Sequence, residues 1–240
     1  MDTARPLRFR LALAILFVAA LGLRLFGLEW DQGHSFHPDE RRIVEAILEL
    51  SFSPLNLDPG FHAYGSLPML VTRATASLLG NASPWFLSWE GILLTGRALS
   101  ALWGAAGCVL LALLGRKLFG ERTGLLAGTL LALAVFHVQN SHFATNDVPL
   151  TTLTVAAFLL LARAVELRTV PSFALAGAAV GLALATKASA ATLFLPLGLA
   201  PFLALLPARR RVALAASLVA VGLAAAAAFL FGQPSTFVAS

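Results

Sequence analysis

The chain has 240 residues, of which 58% are hydrophobic and only 12% charged, about half the charged share of an ordinary soluble domain. A soluble globule of this size needs more polar side chains for its exterior than the sequence owns. Disorder needs the opposite composition, and the single cysteine, Cys108, excludes a disulfide scaffold. The remaining class is an all-α, polytopic transmembrane protein. The net charge of +5 does not point to nucleic acid as a partner, because no basic stripe is interleaved with aromatic residues.

Apolar stretches of membrane-spanning length begin with residues 9–28 and continue, after a polar gap, with 93–114, 123–141, 148–165, 171–186, 190–206 and 212–231. The first stretch has a basic start and a small-residue Val18-Ala19-Ala20 site, as a cleaved secretory signal would. Its apolar run continues to Leu28, however, and the rest of the chain is membranous. The stretch 62–80 is diluted by Ser66, Pro68, Thr72, Arg73, Thr75 and Ser77. If it does not cross, seven spans place Arg5, Arg8, Arg10, Arg116, Lys117, Arg122, Arg163, Arg168, Arg209, Arg210 and Arg211 on one side. Those are eleven of the 17 basic residues, all in short segments. The positive-inside rule favours this arrangement, with a cytoplasmic N-terminus and an external C-terminus. Gly124 with Gly128, and Gly177 with Gly181, have the spacing of close helix contacts, although glycine is also simply common in membrane helices. Arg24, near the end of the first span, reads as a snorkelling side chain.

Residues 29–92 then form one external loop, the most polar part of the chain, carrying Glu29, Asp31, Asp39, Glu40, Glu45, Glu49, Asp58 and Glu90. Residues 38–50 read as an amphipathic helix with Ile43, Val44, Ile47 and Leu50 on one face, expected to lie apolar side down in the membrane interface. It opens with His37, Pro38, Asp39 and Glu40. The acidic pair suits the positive end of a helix dipole, and equally suits a carboxylate pair held at the membrane surface as a general base. A second short helix is expected to start near Ser66, with Pro68 in its first turn. Tyr64, the single tyrosine, is either an interfacial anchor or part of a site.

Ionisable residues at the membrane edge are expensive, and so are functional candidates. The third span ends in His137, Gln139, Asn140, His142, Asn146 and Asp147, with Asp147 open to a helix-capping reading as well. Arg97 lies at the external end of the second span and Lys187 between the fifth and sixth. Two cations on the side that sidedness makes poor in them call for an anionic partner: Asp39, Glu40, Asp147, or the phosphate of a bound lipid. The run from Gly181 to Lys187 lacks the glycine and the hydroxyl residue of a phosphate loop. The histidines lack zinc spacing, which leaves a divalent metal held by His37 with Asp39 as an open alternative.

Five features in order resemble the GT-C membrane glycosyltransferases, nearest to the protein mannosyltransferase and aminoarabinose transferase group. They are the acidic pair after the first span, the interfacial helices with Tyr-Gly-x-Leu-Pro, the Arg that opens the second span, the Asp after a His/Ser-rich turn, and the Thr-Lys after the fifth span. The resemblance implies a GT-C-like transmembrane module over residues 1–232, with 233–240 an external tail. It implies sugar transfer from a polyprenyl-phosphate donor to a protein, lipid or glycan acceptor on the external side. Asp39 would be the catalytic base with Glu40 beside it, Asp147 would line the same cavity, and Arg97 and Lys187 would meet the donor phosphate. Tyr64 and His142 would complete the substrate-binding set. No nucleotide or other cofactor is required by such a reaction. Members of the family usually run on past this point, so the resemblance also implies a fragment, or a short relative that needs a partner. The alanine-rich, arginine-over-lysine composition suggests a bacterial cytoplasmic membrane. Two other classes compete: a transporter or lipid flippase subunit, which would carry its charges at mid-membrane depth, and a non-catalytic assembly subunit, in which Asp39 and Asp147 would lie far apart.

Overall fold

Most helix boundaries fall where proline, glycine or a run of polar residues interrupts the apolar pattern; the break at Ala134 is an exception. The computed structural model describes residues 4–206 and 210–237; Arg209 and the last three residues of the expected 233–240 tail lie outside the described residues. The helices are α1 (Ala4–Leu25), α2 (Pro38–Glu49), α3 (Leu67–Gly80), α4 (Trp89–Phe119) and α5 (Glu121–Leu133). They continue with α6 (Val135–Asn140), α7 (Asp147–Leu167), α8 (Val170–Leu184), α9 (Phe194–Leu205) and α10 (Arg211–Gly232). A small hairpin pairs Ser51–Phe52 with Leu55–Asn56.

Among the described residues, four segments are long and apolar enough to cross a bilayer: Trp89–Phe119, Asp147–Leu167, Ala188–Leu205 and Arg211–Gly232, with Val170–Leu184 a shorter apolar helix. In contrast α3 has 14 residues, which reach about 21 Å at 1.5 Å per residue and fall short of a bilayer core of about 30 Å. The contacts at the helix ends show that the long segments alternate in direction. At one end, Arg116 lies 4.1 Å from the centroid of the Phe9 ring, Lys117 pairs with Glu166, and the Arg210 N–H donates to the Leu205 carbonyl. At the other end, Arg97 reaches the Leu28 carbonyl, Asn146 reaches Thr186, and Ser66 reaches Gly232. The first end carries the basic residues, and the second carries the loop 29–92.

Three local expectations hold and three change. α2 buries Ile43, Val44, Ile47 and Leu50, as its periodicity requires, but against Met69, Ala76, Ile92 and Leu93 of α3 and α4 rather than against lipid. α3 begins at Leu67, with Pro68 in its first turn. The glycine pairs mark true close approaches: a Cβ on Gly177 would stand 2.6 Å from the Val221 carbonyl oxygen, and one on Gly181 2.2 Å from that of Ala225. Residues 233–237 do not form a free tail, since Gln233 Oε1 accepts from the Ser66 N–H at 2.7 Å.

The third change concerns α5 and α6, expected as one span. The helix breaks at Ala134, whose ψ is 111°, and frees carbonyl groups inside the bundle. Arg24 fills the break. Its guanidinium donates to the carbonyls of Ala132 at 3.3 Å, Leu131 at 3.3 Å and Ala20 at 2.9 Å, to Ser141 Oγ at 3.2 Å and to His137 Nδ1 at 2.9 Å. Every N–H of the guanidinium therefore has an acceptor. Arg24 is fully buried, so it does not snorkel. Gly104 makes the space, since a Cβ there would stand 2.8 Å from Arg24 Nε.

The basic ends of the helices are expected to face the cytoplasm. In a Cys108→Ala background, a membrane-impermeant thiol reagent added from outside should label Ala63→Cys and leave Thr123→Cys untouched until the membrane is opened. The opposite pattern would invert the topology.

Candidate active site

The loop that follows α1 is anchored by a buried ion cluster. Arg97, two turns into α4, sits between two carboxylates. It donates from Nη1 and Nη2 to Asp31 at 2.9 and 2.5 Å, and from Nε and Nη2 to Glu40 at 2.8 and 2.8 Å. All three side chains are fully enclosed. The planar fork of arginine matches two bidentate carboxylates in a way that lysine cannot. The remaining Nη1 contact, to the Leu28 carbonyl at 2.7 Å, ties in the end of the first span. Glu40 Oε1 also accepts from the Ala144 N–H at 2.7 Å, which brings in the segment before α7. The hydrogen bonds from Arg97 hold the Asp31 carboxyl below its ordinary range, at about 2.

This cluster revises two expectations. Glu40 is not free to act beside Asp39, and Arg97 does not present its charge to a donor phosphate. Burial and pairing make both structural. Because Asp39 and Glu40 are adjacent on α2, fixing Glu40 inward turns Asp39 outward onto the polar side of the helix.

Asp39 is the first member of a second, more exposed chain of groups. The Tyr64 hydroxyl donates to Asp39 Oδ2 at 2.9 Å. Lys187 Nζ lies 4.9 Å from the centroid of the Tyr64 ring and 2.6 Å from Asp147 Oδ1. Four residues from four separate stretches of sequence thus meet at the end of the bundle away from the basic loops. The Asp39 hydrogen bond, aided by burial and by the charges of Asp39 and Asp147, raises the Tyr64 phenol above its usual range. Tyr64 therefore stays protonated at neutral pH, as a donor. The Lys187–Asp147 pair is partly open to solvent, so its worth lies in placement more than in stability. Asp147 is the first residue of α7, after Asn146 in the capping position, and its carboxylate makes no capping hydrogen bond; it sits in the first turn, where the helix dipole favours an acid, and pairs with Lys187.

A groove of about 430 Å³ leads away from Asp147 between α6 and α7, lined by Phe136, His137, Asn140, Val148, Leu150 and Thr151. Its outer wall, Phe136, is 78% exposed.

The two remaining candidate residues lie elsewhere. His142 holds backbone, with Nδ1 2.8 Å from the Val138 carbonyl and Nε2 2.8 Å from that of Phe26, so it is a strut between α6 and the end of α1. His37 packs against Phe143 with ring centroids 4.7 Å apart. Among the described residues no group of three or more His, Cys, Asp or Glu side chains converges as a metal site would.

Sequence reasoning passed over Asp31 and Asn146. Asp31 was one acid among eight in its loop, and nothing local distinguishes the one that meets Arg97 66 residues later. Asn146 stood beside Asp147 in a polar run, but its partners lie 81 and 40 residues away.

Residues 92–234, more than half of the chain, match the family model described as dolichyl-phosphate-mannose-protein mannosyltransferase. No curated protein matches the chain.

Removing the cation from the buried cluster leaves two enclosed carboxylates, so Arg97→Met should destabilise the protein by about 3–5 kcal/mol, read as a lowered unfolding midpoint in detergent. Since the Asp31 value is depressed in the folded state, its stabilising contribution is complete above the unfolded carboxyl value near 4. It should be lost as pH falls from there through about 2. An acid-unfolding profile unaltered in Asp31→Asn would contradict this.

Proposed function

The chain belongs to the dolichyl-phosphate-mannose-protein mannosyltransferase family, and we propose that it moves a sugar from a polyprenyl-phosphate-linked donor to an acceptor at the external membrane surface, with Asp39 as general base. It is a glycosyltransferase of the GT-C type; donor, side and residue roles are the proposal. The observation that carries them is the line Asp39–Tyr64–Lys187–Asp147 at the end of the bundle opposite the basic loops.

The chemistry divides among these groups. A lipid phosphate is a good leaving group, so the enzyme must chiefly deprotonate the acceptor hydroxyl and meet the charge that develops on the departing phosphate. Asp39, half-buried on α2 and oriented by the Tyr64 hydroxyl, takes the acceptor proton. The Lys187 ammonium, aimed by Asp147 on one side and by the Tyr64 ring below, meets the phosphate. The groove beside Asp147 is lined by both polar residues (His137, Asn140, Thr151) and apolar ones (Phe136, Val148, Leu150), a mixture that suits a phosphate headgroup with an isoprenoid tail. Neither nucleotide nor other resident cofactor is required for these steps. The proposed setting is a bacterial cytoplasmic membrane with the N-terminus inside; the acceptor is a protein, lipid or glycan.

The transport reading expects charged side chains midway along broken spans. Asp147 and Lys187 instead lie at helix ends, where α7 begins and just after α8 stops. The assembly-subunit reading expects Asp39 and Asp147 far apart, whereas Asp39 accepts from the Tyr64 hydroxyl and Asp147 pairs with the Lys187 that lies over the Tyr64 ring.

With polyprenyl-phosphate-mannose as donor and membranes carrying the full protein, Asp39→Asn should lower kcat by roughly 100- to 10,000-fold. Lys187→Gln should raise KM for the donor as well as lowering kcat. Undiminished turnover in Asp39→Asn would remove Asp39 from the mechanism.

A further inference from the structure

Asn146, which is almost fully buried, uses both hydrogens of its amide. Nδ2 donates to the Gly65 carbonyl at 2.9 Å and to the Thr186 carbonyl at 2.8 Å. The two gripped segments also meet directly: the Gly65 N–H donates to the Thr186 carbonyl at 3.1 Å, and the Leu67 N–H to that of Ala185 at 3.1 Å. Each residue of this node adjoins a member of the polar chain. Tyr64 precedes Gly65, Lys187 follows Thr186, and Asp147 follows Asn146. One amide group therefore sets the backbone positions of three of the four side chains proposed to act on substrate.

Two further observations mark the node as built. A Cβ on Gly65 would stand 2.0 Å from the Ala185 carbonyl oxygen, so the segments approach more closely than any side chain permits. On the opposite side of the amide, Asn146 Oδ1, Thr145 Oγ1 and Ser100 Oγ are buried with no protein partner. All three residues line an internal space of about 20 Å³, which suits a single water molecule with several polar neighbours. Such a water would fix which way the amide faces, and so which atom grips the two carbonyls.

We propose that Asn146 is a positioning residue for the transfer reaction, holding Tyr64, Asp147 and Lys187 in register without touching substrate. This rests on the assignment of those side chains to the site. A displacement of about 1 Å in a reacting constellation can cost on the order of 100-fold in rate, and the node controls displacements of that size.

Asn146→Asp preserves shape but turns a double donor into an acceptor facing two carbonyl oxygens. In the full protein, with polyprenyl-phosphate-mannose as donor and turnover expressed per folded molecule, kcat should fall roughly 100-fold while KM for the donor changes less than about threefold. Part of the loss should be recovered as pH is lowered, because a protonated carboxyl can donate one of the two missing bonds; the unsubstituted protein should show no such recovery. Gly65→Ala keeps the amide but forces the 185–186 segment away, and should give the same kcat-against-KM split. Spin labels at Ala63→Cys and Ala188→Cys in the Cys108→Ala background provide a readout without substrate: their distance distribution should broaden or shift in Asn146→Asp. An unchanged distribution, or a loss of turnover that only tracks the folded fraction, overturns the positioning role. The two readings separate cleanly. Turnover retained in Asp39→Asn but lost in Asn146→Asp would overturn the base assignment and leave Asn146 standing; the reverse pattern would overturn Asn146 alone.

Discussion

A guanidinium between two carboxylates, sealed from water, organises the end of this protein opposite the basic loops. Arg97 binds Asp31 and Glu40 from loop and helix segments 66 and 57 residues away. Through the Leu28 carbonyl and the Ala144 N–H, the same cluster reaches the first span and the approach to α7. Burying charges is favourable only when each finds near-ideal partners, so these segments have one way to assemble. The adjacency of Asp39 to Glu40 divides the pair: the inward residue is the anchor, and the outward residue meets the Tyr64 hydroxyl. A carboxylate pair that would read as two catalytic acids thus splits into a buried, ion-paired half and a half-buried one, the one proposed as base.

Two polar systems coexist within a few residues, and their burial separates their roles. The Arg97 cluster is closed and has little freedom left. The Asp39–Tyr64–Lys187–Asp147 chain is partly open, its members come from unconnected stretches, and the residues next to Tyr64, Asp147 and Lys187 are joined by hydrogen bonds of the Asn146 amide and the main chain. Rigid support beneath a more exposed set of groups is the arrangement that keeps reacting groups aligned while leaving them accessible.

The legible part of the fold was whatever local physics dictates. Apolar periodicity marked the buried face of α2, Ser66 and Pro68 marked the start of α3, and the scarcity of positive charge marked one end of the bundle. Glycine spacing marked the α8–α10 contact, though only the close approach to Val221 and Ala225 separates that from chance. Asp39, Tyr64, Asp147 and Lys187 stood out as polar residues at membrane edges. What stayed hidden depends on pairing across long stretches of chain. Nothing near residue 134 weakens the helix, since alanine, leucine and valine surround it; the break exists because Arg24, 108 residues earlier, is available to hold the Ala132 carbonyl. A lone cation calls for an anion, and Arg97 left a choice between protein carboxylates and a lipid phosphate; it meets Glu40, one of the carboxylates offered, together with Asp31, which was not. His142 read as a site residue by its neighbourhood, but its ring is spent on two carbonyls of the scaffold.

The broken third segment bears on how the protein is put together in the first place. Arg24 leaves the ribosome with the first helix, more than a hundred residues before the carbonyls and the hydroxyl that will solvate it. A lone guanidinium is poorly tolerated within hydrocarbon, so the first helix must wait shallowly, with its arginine among lipid headgroups. It can sink to its final depth only when residues 131–141 arrive beside it. One side chain thus makes the settling of an early helix wait on the arrival of a much later one.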